Sequence, residues 1–187
     1  MSETLLYAMR PLGSCQHGEL RAHIPELNRY LDVFPSTSLK WRPLGKAGLM
    51  LMERGEFAMA QNFPGSKLNG KEMSATKARL RAALITQNDQ HRMQPAKTVR
   101  TSYMGKGRLG LRSIVYMLDP EAFIEDRADV IDTMNEEAGV EIGWRNFKPH
   151  VTVATVDKRS ATPELLRHFE RFRPDSLSFM GVKVEAS

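Results

Sequence analysis

Cysteine is almost missing from this chain. Cys15 is the only one among 187 residues, so no disulfide framework and no thiolate metal cluster can be built, and a lone thiol without a placed base suggests no thiol catalysis. No stretch approaches the ~20 consecutive apolar residues of a membrane-spanning helix. The opening Met1-Ser2-Glu3-Thr4 lacks the basic and then apolar pattern of a secretory signal, and a cytoplasmic protein with no membrane association is expected. Three further signatures are missing: Gly-x-Gly-x-x-Gly, Gly-x-x-x-x-Gly-Lys-Ser/Thr and His-Glu-x-x-His. Dinucleotide, P-loop and zinc-protease chemistries therefore lack their physical parts. No cofactor and no metal is expected.

Positive charge is in surplus, with a formal net charge of +5, and it is uneven. Residues 97–112 carry Lys97, Arg100, Lys106, Arg108 and Arg112 with no acid among them, while 119–141 hold most of the compensating carboxylates. A locally basic face favours phosphate-rich partners such as nucleotides or RNA.

The chain is organised around Asn146-Phe147-Lys148-Pro149-His150-Val151-Thr152-Val153-Ala154-Thr155-Val156. A two-residue period makes it a strand on which His150, Thr152, Ala154 and Val156 share one face and Val151, Val153 and Thr155 the other. Pro149 has no N–H to give, which favours a strand start at His150 beside a loop. Imidazoles as a class exchange protons near neutral pH, and a hydroxyl two residues on can bond the same oxyanion. That pair suits phosphate-ester chemistry.

Around it, strands are expected at 4–9, 39–43, 48–52, 57–60, 96–103, 109–118 and 176–184, with 39–43 and 48–52 joined by a Gly-Lys turn and 104–108 turning the later hairpin. Helices are expected at 19–31, at 74–87 with Ser74 as N-cap, after Asp119-Pro120, and after Thr162-Pro163. The third carries Phe123, Arg127, Val130, Ile131, Met134 and Ala138 on one stripe and meets a stop at Gly139. His17, His23 and His91 are expected as solvated side chains, as is His168 in the last helix. The two halves repeat a similar order. The expected fold is α+β: one domain over 1–187 with two similar lobes, about 1–95 and 96–187, each an antiparallel sheet with helices packed outside, around a central cleft.

The run Ile114 to Pro120, a helix of roughly 20 residues, and then Phe147-Lys148-Pro149-His150-Val151-Thr152-Val153-Ala154 resembles the C-terminal half of the two-histidine (2H) phosphoesterases, the 2'-5' RNA ligase or RNA 2',3'-cyclic phosphodiesterase family. The resemblance covers 96–187 well and 1–60 in outline. It implies two His-x-Thr/Ser motifs facing each other across the cleft and metal-free hydrolysis, because in-line displacement at phosphorus wants a base and an acid on opposite sides. His150 and Thr152 match the second motif. The first is lost: Ala47 or Gly48 stands where its histidine belongs, and Leu49 or Met50 where its hydroxyl belongs.

Three readings stay open. One is a hydrolase acting on RNA ends or cyclic and 2'-5' linked nucleotides, weakened by the missing motif or helped by another group such as His91 or Tyr103. The second is a catalytically degenerate module that binds a nucleotide or RNA phosphodiester. The third is an interaction protein retaining the fold only. Lys148, Tyr103, Arg108 and Arg42 are the candidate ligand contacts, offering cations for phosphate and an aromatic for a base. A monomer is expected.

Overall fold

The structure, a computed structural model, describes residues 6–13, 24–42, 47–53, 56–57, 70–88, 94–105, 110–143 and 146–186. Cys15, His17, His23, His91, Lys106 and Arg108 lie outside these, as does most of the strand expected at 57–60. Within the described part, Glu56 and Phe57 are helical.

The order is β1 (Leu6–Pro11), α1 (Ile24–Val33), β2 (Leu39–Trp41), β3 (Gly48–Met52), α2 (Gly70–Asn88), β4 (Gln94–Met104), β5 (Leu111–Leu118), α3 (Ile124–Ala138), β6 (His150–Asp157), α4 (Pro163–Arg171), β7 (Ser176–Phe179) and β8 (Lys183–Ala186). The strands run β7-β4-β5-β6-β3-β1-β8, every neighbouring pair antiparallel, with β2 also on β6. The result is an α+β fold with a curled antiparallel sheet.

β2 and β3 do not form the hairpin that their spacing suggests. Both reach β6, β2 at Ala154–Val156 and β3 at Val151, which leaves β6 central along its whole length. The halves also exchange helices. Leu27 of α1 lines one small cavity with Trp41, Tyr116 of β5 and Phe169, and Tyr30 of α1 stacks on His168 of α4, while α3 packs on β3. Each sheet half is thus covered partly by a helix from the other half of the sequence, and the apolar stripes are buried in both places.

The alternation expected along β6 holds only for its first half. Ile114 pairs with Ala154 and Val115 with Thr152, so Val153 is an extra, unpaired residue. This β-bulge reverses the phase beyond it. His150, Thr152 and Thr155 share the open face, all half-buried, whereas Val151, Ala154 and Val156 are fully buried on the other. Across strands, directly opposed side chains share a face. The open face therefore also holds Met117 and Arg100 beside His150, Ser113 and Met104 beside Thr155, and Lys40 on β2. The buried face holds Tyr116, whose hydroxyl donates to the Phe169 carbonyl of α4 at 3.4 Å.

The expected stripe of α3 is buried, Arg127 included, and Gly139 closes the helix at φ 61°. Its start differs. Asp119 caps a turn instead, accepting the Glu121 N–H at 3.0 Å, and Phe123 stands at the N-cap with φ 60°. That left-handed conformation turns the Phe123 ring edge-on to Phe179 and beneath the Arg10 guanidinium. Ser74 is likewise no cap but an interior residue of α2. Thr162 does cap α4, its hydroxyl accepting the Leu165 N–H at 3.2 Å. His168 is half-buried and stacked on Tyr30, with ring centroids 5.2 Å apart, which corrects the solvated position expected for it. No helix among the described residues is long and apolar enough to cross a membrane.

Candidate functional site

The front of β6 opens into a pocket of about 160 Å³, lined by Met50, Glu53, Glu56, Met104, Arg127, Asn146, Phe147, Lys148 and His150. That is many times the ~10–15 Å³ a cavity needs to admit one water, room enough for a phosphate group.

His150 owes its place to Pro149. The Pro149 carbonyl accepts the Leu118 N–H at 2.9 Å, so the ladder begins there although proline has no N–H to donate. The imidazole then folds back, with Nδ1 2.7 Å from the Lys148 carbonyl oxygen. A carbonyl only accepts, so Nδ1 carries a proton and donates it. Nε2 remains as the atom that takes or gives a proton, in a ring whose tautomer the backbone has fixed.

Of the sequence-derived candidates, His150 and Lys148 line the pocket, and Lys148 is exposed. Thr152 lies two residues deeper on the same face, half-buried opposite Val115. Tyr103 is not brought there. Its neighbour Met104 lines the pocket, and the strand's alternation turns Tyr103 to the other face, where its hydroxyl donates to the Thr162 carbonyl at 2.7 Å. The Arg112 guanidinium lies over the Tyr103 ring at 5.4 Å. Burial pushes the Tyr103 hydroxyl up to about 12, Tyr30 adds to this and Arg112 opposes it. Arg42 is exposed beside β2, its N–H bonded to the Val153 carbonyl at 2.9 Å, and does not line the pocket. Arg108 lies outside the described residues.

The register shows which β3 residues face the His150 strand. Leu49 pairs with Val151 in antiparallel sense, so Met50 stands opposite His150 and Gly48 opposite Thr152. Neither carries a titratable group. A Cβ built on Gly48 would lie 2.5 Å from the Arg10 carbonyl oxygen and 2.6 Å from Met9 Cε, so the β1 backbone fills the space that a side chain needs.

Sequence reasoning missed Glu53, Glu56 and Arg127. Glu56 and Arg127 form a buried pair with Nη2 to Oε1 at 2.6 Å, and Arg127 Nη1 also donates to the Leu51 carbonyl. The Arg127 guanidinium lies 5.0 Å from the Phe147 ring centre. One signal was available: Arg127 falls on an otherwise apolar helix stripe, and a buried guanidinium requires a carboxylate. Nothing in the sequence says which carboxylate, since 71 positions separate the two.

No family model and no curated protein sequence matches the chain. Solved structures do. Usb1 from Kluyveromyces marxianus is 12% identical with a TM-score of 0.53, covering 97% of this chain and 92% of that one. The same protein with uridine monophosphate gives 10%, 0.56, 97% and 93%. The MHV ns2 PDE domain gives 11%, 0.55, 99% and 100%. These proteins are members of the 2H phosphoesterase superfamily, and identities this low carry the fold alone. The resemblance first read in Phe147-Lys148-Pro149-His150-Val151-Thr152 thus extends over nearly the whole chain, which is built on the 2H phosphoesterase fold.

Proposed function

We propose that this pocket receives the phosphodiester of an RNA end or of a cyclic or 2'-5' linked nucleotide, and that His150 transfers a proton there in slow, metal-free hydrolysis. The observation that carries the reading is the fixed tautomer of His150: Nδ1 held by the Lys148 carbonyl, Nε2 left for chemistry on an open face. The Lys148 ammonium at the pocket suits the charge of a phosphate, and Thr152 offers a hydroxyl two residues along the same face of β6 from His150. Two structural neighbours are described by a nucleotide ligand and by phosphodiesterase activity, which agrees with a phosphoester ligand here.

Among the described residues the pocket has no second imidazole, and without one an end of the displacement loses its proton carrier. Losing one half of an acid–base pair lowers rates by a factor of ~10²–10⁴. Cyclic phosphates, whose ring opening needs less help, are the substrates on which turnover should be seen first. Gly48 and Met50 favour a second reading, in which the phosphoester is held and not turned over.

The test is incubation with 2',3'-cyclic nucleotides and with cyclic and 2'-5' linked oligonucleotides in the presence of a chelator, comparing wild type with His150→Gln. Product that disappears in the variant establishes hydrolysis. Ligand bound and recovered intact establishes the binding module. Neither binding nor product rejects both.

A further inference from the structure

The pocket holds a carboxylate that no described residue engages. Glu53 directly follows β3, is exposed, and lines the same pocket as His150. Its N–H donates to Glu56 Oε2 at 2.8 Å, but its own side chain enters no hydrogen bond or ion pair among the described residues. Glu56 is different. Its oxygens accept from Arg127 Nη1 at 3.3 Å, Arg127 Nη2 at 2.6 Å and the Glu53 N–H, and the side chain is only 9% exposed. Glu56 is the counter-charge of Arg127, and Glu53 is the carboxylate left over.

The geometry points to Glu53 as the second proton-transfer group of this pocket, a carboxylate–imidazole pair with His150 acting on a phosphodiester. The inference rests on the reading that the pocket turns a phosphoester over. It supplies the partner that the β3 strand cannot: Gly48 is walled by β1, Met50 carries no proton, and Glu53 is the first titratable side chain past them. The other charged groups at the pocket are Glu56 on the segment after β3, Arg127 from α3, and Lys148 beside His150.

Carboxylic acids as a class are stronger than imidazolium ions, so the carboxylate is the natural base and the imidazolium the natural acid. For a 2',3'-cyclic phosphate, a water oxygen bonds to phosphorus while the Glu53 carboxylate takes its proton. The bond from phosphorus to one ribose oxygen breaks, and that oxygen takes the proton on His150 Nε2. One water is consumed and an acyclic phosphomonoester forms. Glu53 then returns its proton through solvent and His150 is reprotonated.

The experiment measures kcat and KM on 2',3'-cyclic nucleoside monophosphates, with chelator, from pH 4 to 9, for wild type, Glu53→Gln, Glu53→Asp and His150→Gln. Glu53 is exposed, so its variants should melt with the wild type. Loss of kcat by about 10²-fold in Glu53→Gln, with KM little changed, the low-pH limb of the rate profile abolished and partial activity in Glu53→Asp, supports the pair. Glu53→Gln within twofold of wild type while His150→Gln is inactive overturns the pair and leaves the phosphoesterase reading standing. No turnover by wild type overturns both.

Discussion

At the scale of single residues, two positions on facing strands decide what the cleft can do. His150 was legible in the sequence because its signal is local: a proline stops the ladder, and an imidazole and a hydroxyl follow two apart. The missing β3 histidine was legible only as a choice between Ala47 and Gly48, since choosing needs the register with Val151. Glu53 was not legible as a site residue, because nothing local separates it from any other surface carboxylate. The closure around Gly48 leads to a prediction. Gly48→His will not restore a two-histidine site. Forcing a side chain against the Arg10 carbonyl overpacks the β1–β3 contact, at about 1–3 kcal/mol, and denaturant unfolding will show a lowered midpoint with no gain in turnover. A variant as stable as wild type and faster on cyclic phosphates would show that β1 yields at this point.

At the scale of elements, the first turn of α3 fixes the pocket wall. Two consecutive residues of that turn grip the sheet from opposite sides of charge. Asp126 pairs with Arg10 of β1 at 2.7 Å, and Arg127 pairs with Glu56 after β3. Breaking one partner of a buried pair leaves an uncompensated charge, at about 3–5 kcal/mol, whereas replacing both by apolar groups of like size is close to neutral. Arg127→Met should therefore destabilise strongly, and Arg127→Met with Glu56→Met should recover most of the loss in a denaturant double-mutant cycle. A double variant no more stable than the single would mean that Arg127 matters through Leu51 and Phe147 instead. Helix α4 is held to β4 by Glu170. Burial alone would push its carboxyl up, but the Thr101 N–H at 2.6 Å and Arg173 Nε at 2.9 Å hold it below the usual range. A lowered carboxylate contributes stability that is present above its unfolded pKa and lost as pH falls through the folded one. Wild type should thus lose melting temperature below about pH 4.3 faster than Glu170→Gln does, and equal acid slopes in the two proteins would assign no role to this contact. The same elements show where sequence reasoning stops. Thr162 and Gly139 were legible as caps because capping is a local hydrogen bond or a local backbone angle. Asp119 misled because the Phe123 ring, held by Phe179 and Arg10, sets the helix start through contacts distant in sequence.

At the scale of the whole molecule, the last strands explain the curl. A single strand over 176–184 is what the residues suggest, but the chain divides at Met180. β7 joins β4 at one end of the strand order and β8 joins β1 at the other. Two strands so close in sequence can sit at opposite ends of the order only if the sheet curls until its ends meet. They do meet: Leu12 bridges Phe179, the Gly13 N–H reaches the Ser178 carbonyl at 3.0 Å, and the Met180 N–H reaches the Pro11 carbonyl at 2.8 Å. Such closure protects sheet edges from pairing with other chains. It also leaves one open face on which Lys40, Arg100 and Lys148 enter no ion pair among the described residues. Lys148 beside the imidazole, with Arg100 and Lys40 further along the same face, should attract a single-stranded phosphate backbone in a salt-dependent way, with log affinity falling by about 0.7 per neutralised phosphate for each unit of log salt. Binding of a short RNA bearing a terminal phosphate, titrated between low and moderate salt, should therefore show a slope near −2. Lys40→Gln with Arg100→Gln should reduce it to about −0.7 while leaving the proposed hydrolysis of a cyclic mononucleotide in the pocket unchanged. An unaltered slope in that variant would place the polynucleotide elsewhere on the protein, and a slope of zero in the wild type would limit the ligand to what the pocket itself can hold.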